Sequence, residues 1–312
     1  MKPSSSRTST RYENKQHGSA AFPYAVYRSL IPDGMRSYPL HWHNEMEITY
    51  ILDGSCIISV NKTPLRAQPG DIILILPNQL HSIDRDGREH AEYYTIVFDL
   101  RLLGQDSPSD TCFQKYLRPY LEGSAILPLK LTSDHADYLP LKDAITDLLE
   151  VEHREKAIPG KELFIKARLF AILSILEPCR QNTASGDSDC ATLVQIQKMK
   201  ALLQFISANY MHPLTLQEAA SFCGYSTSYF MKFFKSFTSA TFVEYLNRCR
   251  LEKAEELLRA TDLTVLEISE QAGFENHSYF IRIFKRQYGI TPRKYRLQHR
   301  EPISMPDLLS EQ

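Results

Sequence analysis

Over the first third of the chain, apolar positions come in short runs or alternate with polar ones. Ile48-Thr-Tyr-Ile-Leu and Ile72-Ile-Leu-Ile-Leu are the clearest runs, punctuated by Asp53-Gly54, Asn61-Lys62 and Pro69-Gly70. Short strands at such spacing predict a β-barrel or jelly roll over residues 21–110. The period then changes: residues 136–155 and 161–177 read as helices split by Ile158-Pro159-Gly160, and the chain from 193 to 298 reads as helical. Residues 1–20 form a polar leader, 178–192 a linker without periodicity, and 299–312 a tail. The fold expected is α+β in two domains, the first a barrel followed by a helical element over 111–177, the second all-α.

The helical domain contains a repeat. Gly224-Tyr225-Ser226-Thr227-Ser228-Tyr229-Phe230-Met231-Lys232-Phe233-Phe234-Lys235 and Gly273-Phe274-Glu275-Asn276-His277-Ser278-Tyr279-Phe280-Ile281-Arg282-Ile283-Phe284-Lys285 follow one pattern. Each comes after a short amphipathic stretch beginning at Thr215 or Thr264, so each unit reads as helix, tight turn, helix. At about 100° per residue, Phe230, Phe233, Phe234 and Phe237 share one face, matched by Phe280, Ile283 and Phe284. The opposite faces carry Ser228, Met231, Lys232 and Lys235, and His277, Ser278, Ile281, Arg282 and Lys285, followed by Arg286.

A hydroxyl, an apolar side chain and a cation on one exposed face suit a major groove, with its thymine methyls and guanine acceptors. Ser228, Met231, Lys232, His277, Ser278, Ile281 and Arg282 are therefore the expected base readers. Lys235, Lys285 and Arg286 are the expected phosphate contacts. Between the units, 241–259 lacks Gly and Pro, and one helix of that length spans about 28 Å at about 1.5 Å per residue. That is close to the roughly 34 Å between successive major grooves on one face of B-DNA.

Charge supports this division. The formal net charge is −1, yet residues 193–300 hold 15 Lys/Arg against 9 Asp/Glu, a net +6, while residues 1–192 carry −4. A basic segment coinciding with the repeat is what binding to phosphate requires. No run reaches the roughly 18 apolar residues of a membrane span, and the start lacks a signal-like apolar segment, so a cytoplasmic protein without membrane partners is expected. Six cysteines without CxxC spacing predict reduced thiols.

The repeat resembles the DNA-binding domain of the AraC/XylS family of bacterial transcription regulators over about 193–298. The second unit carries the family signature nearly whole: Ser278-Tyr279-Phe280, Phe284-Lys285, Gly289-Ile290-Thr291-Pro292 and Tyr295-Arg296. The first departs from it with Ser239 in place of the glycine and Phe242 in place of the proline. Ser239 is expected to end its helix in a left-handed conformation. The resemblance implies double-stranded DNA and a small-molecule effector as partners, RNA polymerase as a further one, and activation as the outcome.

In the barrel, His41-Trp42-His43-Asn44-Glu45-Met46-Glu47 with Gly54, and Gly70-Asp71 with Pro77 to His81, resemble the two cupin motifs over 35–85. Strand alternation puts His41, His43 and Glu47 on one face, with His81 on a neighbouring strand. Arg28 joins these four as an expected effector-pocket residue, and Trp42 is expected on the other face, packing at the surface. Three imidazoles and a carboxylate suit a transition metal, but family members keep the pattern for sensing. No metal, no cofactor and no catalysis are expected, and a carbohydrate is the favoured effector by family habit. The rival reading is a metal-dependent cupin oxygenase or isomerase with a DNA-binding domain attached, against which no asparagine follows His81. Repair of alkylated DNA would need a Cys-rich metal module, which the cysteine spacing does not offer. The helix 161–177 is apolar nearly all round, and a homodimer through it is expected.

Overall fold

The computed structural model describes residues 16–31, 37–87, 89–154, 158–182 and 187–299, the side chains of 37 and 187–191 excepted. Most of the expected leader and tail lies outside these residues. The chain divides into two compact units, Asn14–Gln197 and one built on Lys198 onward.

The first unit is β-rich. Its strands are β1 (Tyr24–Ile31), β2 (Ser37–His41), β3 (Met46–Gly54), β4 (Cys56–Val60), β5 (Thr63–Ala67), β6 (Ile72–Ile75), β7 (His81–Arg85) and β8 (Ala91–Phe98), with short β9 (Ala125–Ile126) and β10 (Lys130–Leu131) further on. They form an antiparallel five-stranded sheet ordered β1-β8-β3-β6-β10 and a four-stranded sheet ordered β2-β7-β4-β5. The two-residue turn Asn61-Lys62, positive in φ at both positions, joins β4 and β5 in a tight hairpin.

The alternation read from sequence sorts the large sheet into two faces. Met46, Ile48, Ile72, Leu74, Ile96 and Phe98 pack with the buried side of α2 (Tyr138–His153) and α3 (Lys161–Leu176), where Leu141, Ile145, Leu148, Ile165, Leu169 and Ile172 complete the core. The other face looks inward: Ile51, Ile73, Ile75 and Tyr93 meet Cys56, Ile58, Val60 and Ile83 of the small sheet. Gly160, with φ 72, starts α3 where the sequence breaks.

The stretch 111–177, expected to be helical, begins with α1 (Arg118–Leu121) but also holds β9 and β10, with β10 adding an edge to β6. Two-residue strands carry no alternation to read. Within the expected linker, β11 (Gln181–Asn182) pairs with β9, and a helix, α4 (Asp187–Asn209), is already under way at Asp187. The boundary between the units falls inside α4, whose apolar positions Met199, Leu202, Leu203 and Ile206 are buried.

The second unit continues with α5 (Leu216–Phe222), α6 (Thr227–Thr238), α7 (Phe242–Ala260), α8 (Val265–Gln271), α9 (His277–Tyr288) and α10 (Pro292–His299). Thr215 with Glu218, Thr241 with Glu244 and Thr264 with Glu267 form complete capping boxes, which start α5, α7 and α8. Ser226 and Asn276 cap α6 and α9 by accepting from Tyr229 N and Tyr279 N. The two copies also end alike: Ser239 at φ 54 and Gly289 at φ 77 adopt the left-handed conformation and donate to Lys235 O and Lys285 O. Phe230, Phe233, Phe234 and Phe237 are buried, as are Phe280, Ile283 and Phe284. Each such side chain contributes about 1.5–3 kcal/mol by leaving water.

The two turns make opposite demands on their glycines. A Cβ on Gly273 (φ +86) would lie 2.7 Å from Tyr210 O and 2.8 Å from Met211 Cα, whereas one on Gly224 (φ +68) would meet nothing within 4 Å. Gly224→Ala should therefore cost only the left-handed penalty of about 1–2 kcal/mol. Gly273→Ala should cost roughly 2 kcal/mol more, because backbone has to move. Urea denaturation followed by far-UV circular dichroism checks the difference. Fluorescence of Trp42, the one tryptophan of the chain, follows the first unit and should be unchanged in both.

Candidate functional site

On β3, Glu47 and Thr49 point into the barrel while Met46 and Ile48 point to the helices. Two further segments bring imidazoles to Glu47: His41 at the end of β2 with His43 two residues beyond it, and His81 at the start of β7, directly paired with His41. All four are buried, at 6%, 1%, 1% and 5% exposure for His41, His43, His81 and Glu47. Ring centroids of His41 and His81 are 4.0 Å apart, those of His43 and His81 4.9 Å. Glu47 Oε2 lies 3.3 Å from His43 Nε2 and 3.6 Å from His81 Nε2. Thr49 Oγ1 donates to Glu47 Oε1 at 2.9 Å, which orients the carboxylate toward the histidines.

Burial sets the protonation. It pushes His41 well below the ordinary imidazole value, helped by the charges of His81 and His43. For Glu47, burial alone would raise the carboxyl, but hydrogen bonds from His43 and His81 hold it well below the usual range. An ionised carboxylate thus sits among imidazoles inside the barrel.

Arg28 does not join this cluster. Its neighbour Tyr27 pairs with Thr95 on the inner face, which puts Arg28 opposite Tyr94 on the outer face. There it pairs with Glu92, its side chain 53% exposed, and Tyr94 reaches His153 of α2 at 3.0 Å. The register of β1 on β8 decides this parity, and sequence alternation alone leaves it open by one residue. Trp42 is buried at 4% exposure, so the expected surface role is not what it has. Three further residues lie beside the cluster: Tyr27, one of the polar aromatics that the sequence places near the barrel strands, within 3.1 Å of His17 Nδ1; and two that the sequence reading passed over, His17, 5.7 Å from His43 between ring centroids, and Thr95, 3.5 Å from Thr49.

In the helical unit the named side chains fall mostly where the winding placed them. Ser228, Lys232, Lys235, Ser278, Arg282, Lys285 and Arg286 are exposed, and Met231 is 52% exposed. Ile281 differs from Met231, since it is half-buried against the core of its own unit. His277 is held by Ser269 Oγ at 3.0 Å, and Arg282 lies over the Tyr279 ring at 5.3 Å. Tyr279 in turn accepts from Asn247 Nδ2 of α7 at 2.9 Å. Arg293 and Lys294, exposed in the first turn of α10, are further cations on this unit, legible in the sequence as a basic pair just past Pro292.

Two family models match this chain: an AraC-like ligand binding domain over residues 26–173 and a helix-turn-helix domain over 219–298. The chain belongs to the AraC/XylS family of transcription regulators. It is similar along its length to the uncharacterized HTH-type transcriptional regulator YdeC of Bacillus subtilis, at 25% identity covering 91% of this chain and 95% of that protein. The Melibiose operon regulatory protein of Escherichia coli is 23% identical over 82% of each chain. Regulatory protein PocR of Salmonella typhimurium is 37% identical over 36% of this chain and 37% of its own.

The AraC/XylS regulator therefore pairs a ligand-binding domain with a DNA-binding one. Among the described residues, no helix is long and apolar enough to cross a membrane. Among the described residues, Cys56, Cys112, Cys179, Cys223 and Cys249 are free thiols.

The depressed His41 value has a consequence for this regulator. The unfolded chain takes up a proton near the ordinary imidazole value of about 6.5, which folded His41 refuses. Stability from this residue is therefore complete above that pH and lost as pH falls below it; the Glu47 contribution is lost only at lower pH still. In the presence of chelator, the denaturation midpoint seen by Trp42 should drop between about pH 7.5 and about pH 5.5, and drop less in His41→Gln. Equal slopes in both proteins would assign the effect to other groups.

Proposed function

We propose that this regulator is an effector-responsive activator that reads DNA through α6 and α9 together. The observation that carries this reading is the match of two exposed faces, Ser228 with Lys232 and Ser278 with Arg282, each opposite a buried phenylalanine face. Ser228, Met231, Lys232, His277, Ser278, Ile281 and Arg282 contact base edges, with Ile281 contributing less apolar contact than Met231 because it is half-buried. Lys235, Lys285 and Arg286 meet phosphate. α7, 19 residues long, sets the distance between the two grooves at about 28 Å.

The effector is a small polyhydroxylated molecule, a carbohydrate, entering the barrel beside His41, His43, Glu47 and His81. Hydroxyls of Tyr27, Thr49 and Thr95 and the imidazoles suit such a ligand, and one relative carries a sugar operon in its name. Arg28, on the outer face, is dropped from the pocket. Binding shifts the population between states that differ in affinity for the operator and in contact with RNA polymerase. The protein works in the cytoplasm as a homodimer and catalyses no reaction. Support for the dimer comes from α3, which leaves Leu163 76% and Phe170 38% exposed on one stripe.

Two measurements test this reading. Arg282→Ala should lose about 1–3 kcal/mol on the preferred operator and relax preference at one or two positions, whereas Lys285→Ala should weaken all sequences alike and lower the salt slope by about one unit. Binding isotherms on operator and scrambled DNA at two salt concentrations separate the outcomes; equal losses of Arg282→Ala on both DNAs would show gripping without reading. Sedimentation of a fragment covering residues 1–180 should give a dimer at micromolar concentration, and the full chain with Leu163→Glu and Phe170→Glu should give a monomer. A monomeric fragment would move the dimer interface elsewhere.

A further inference from the structure

We propose a binding site for one divalent ion of the zinc type at one end of the α2–α3 pair, with His135, Asp137 and Cys179 as donors. The turn leading into α2 lies there beside the turn leaving α3, and backbone bonds fix both. His135 N donates to Thr132 O and Tyr138 N to His135 O, each at 3.0 Å, while Arg180 N donates to Glu177 O at 3.1 Å. His135 and Cys179 are 44 positions apart along the chain, yet Cys179 Sγ lies 3.6 Å from His135 Nε2. No short spacing motif announces such a pair, so the cysteine pattern by itself points only to reduced thiols.

The separation is that of two donors on one metal. A tetrahedral ion at about 2.0–2.1 Å from nitrogen and about 2.3 Å from sulfur holds the two roughly 3.6 Å apart. Asp137 supplies the third donor: one ligand atom from each of the three residues lies within 4.8 Å of the others, and Asp137 Oδ2 is 3.9 Å from His135 Nδ1. The imidazole and carboxylate side chains are 33% and 43% exposed, so an ion can enter from solvent and keep water as its fourth ligand. A thiolate with an imidazole and a carboxylate favours Zn2+ or Co2+ over Ca2+ and Mg2+, which take oxygen donors.

Charge gives a second argument. Burial and then the charge of Asp137 push the Cys179 thiol above its ordinary value, so without a cation the carboxylate opposes a thiolate beside it. Arg180, next in the chain, is engaged by Glu177 Oε1 and Lys115 O, each at 3.1 Å. A divalent ion turns the same carboxylate into a ligand and deprotonates the thiol. His135 Nδ1 accepts from Asp137 N at 3.2 Å, so the neutral ring carries its proton on Nε2, facing Sγ. On binding, the thiol proton leaves to solvent and the ring proton passes to Nδ1. The one amide hydrogen bond given up is weak beside two bonds to a metal ion. The ion ties the start of α2 to the end of α3, just before the chain runs through β11 into α4. This site shares no residue with the barrel cluster and is independent of the effector reading.

The test uses full-length protein without a histidine tag, reduced, stripped by chelator and titrated with Co2+ and with Zn2+. The Co2+ form should show a thiolate-to-metal charge-transfer band, which imidazoles and carboxylates inside the barrel cannot produce. Cys179→Ser should abolish the band, and His135→Ala should weaken the affinity read from it on the order of 100-fold. A measurement on the wild type needs no variant to fold: saturating Zn2+ should slow alkylation of Cys179 by iodoacetamide on the order of tenfold or more. Mass spectrometry of the peptide that carries Cys179 reads this rate, with exposed Cys112 as the thiol that Zn2+ should leave unaffected. A missing band, a band that persists in Cys179→Ser, or alkylation of Cys179 at the same rate with and without Zn2+ would overturn the site. No DNA or sugar takes part, so such a failure leaves the regulator reading untouched.

Discussion

β3 is buried on both of its faces, and the ligand-binding domain is organised around that constraint. A strand open to water on one side can leave polar side chains to the solvent. β3 has no such side: Met46 and Ile48 are enclosed with the helices, Glu47, Thr49 and Ile51 inside the barrel. A carboxylate in that position must find its partners within the fold. Thr49, His43 and His81 are those partners, and they come from β3 itself, the segment just past β2, and β7. The pairing of β2 with β7 therefore has an electrostatic purpose beyond its ladder hydrogen bonds, and the apolar half of the barrel, around Ile58, Ile73 and Ile75, begins where the polar half ends.

The DNA-binding domain rests on repetition instead. Two helices, α6 and α9, with equivalent side-chain caps, left-handed ends and aromatic faces dock on one helix. The amino-terminal half of α7 packs on the first, with Phe242 and Tyr245 against Phe234 at centroid distances of 5.7 and 5.2 Å. Leu251, Ala254 and Leu258 in its second half share a core with Phe280 and Phe284. Ser239 holds a positive φ without being glycine, which shows how firmly the surrounding contacts impose the end of α6.

Much of this was legible in the sequence because it depends on short periods. The phenylalanine faces follow the helical repeat, the His41, His43, Glu47 set follows the strand repeat, and the unbroken connector follows from the absence of Gly and Pro. The T-x-x-E boxes at Thr215, Thr241 and Thr264 were equally legible, as marks of helix starts. What escaped depends on pairing between distant segments. Whether Tyr27 or Arg28 faces inward is set by β8, some 65 residues away along the ladder. The approach of His17 to His43 and the burial of Trp42 are tertiary outcomes. The start of α4 at Asp187 escaped because the first turns of that helix carry no apolar stripe.

That α7 is one uninterrupted helix anchored at both ends has a consequence for the operator. On the proposed reading, in which α6 and α9 enter successive major grooves, the two helices cannot change their separation or their rotation about the DNA axis independently, so the pair is keyed to the helical phase of the duplex. Successive major grooves return to the same face every 10–10.5 base pairs or so. Inserting about half a turn between the two subsites would carry the second to the far side of the duplex, out of reach of α9, whatever its bases. Inserting a full turn would restore the face but exceed the span of α7. A binding site for this regulator is thus defined as much by its spacing as by its letters, and variation in natural operators should be confined to substitutions within the subsites.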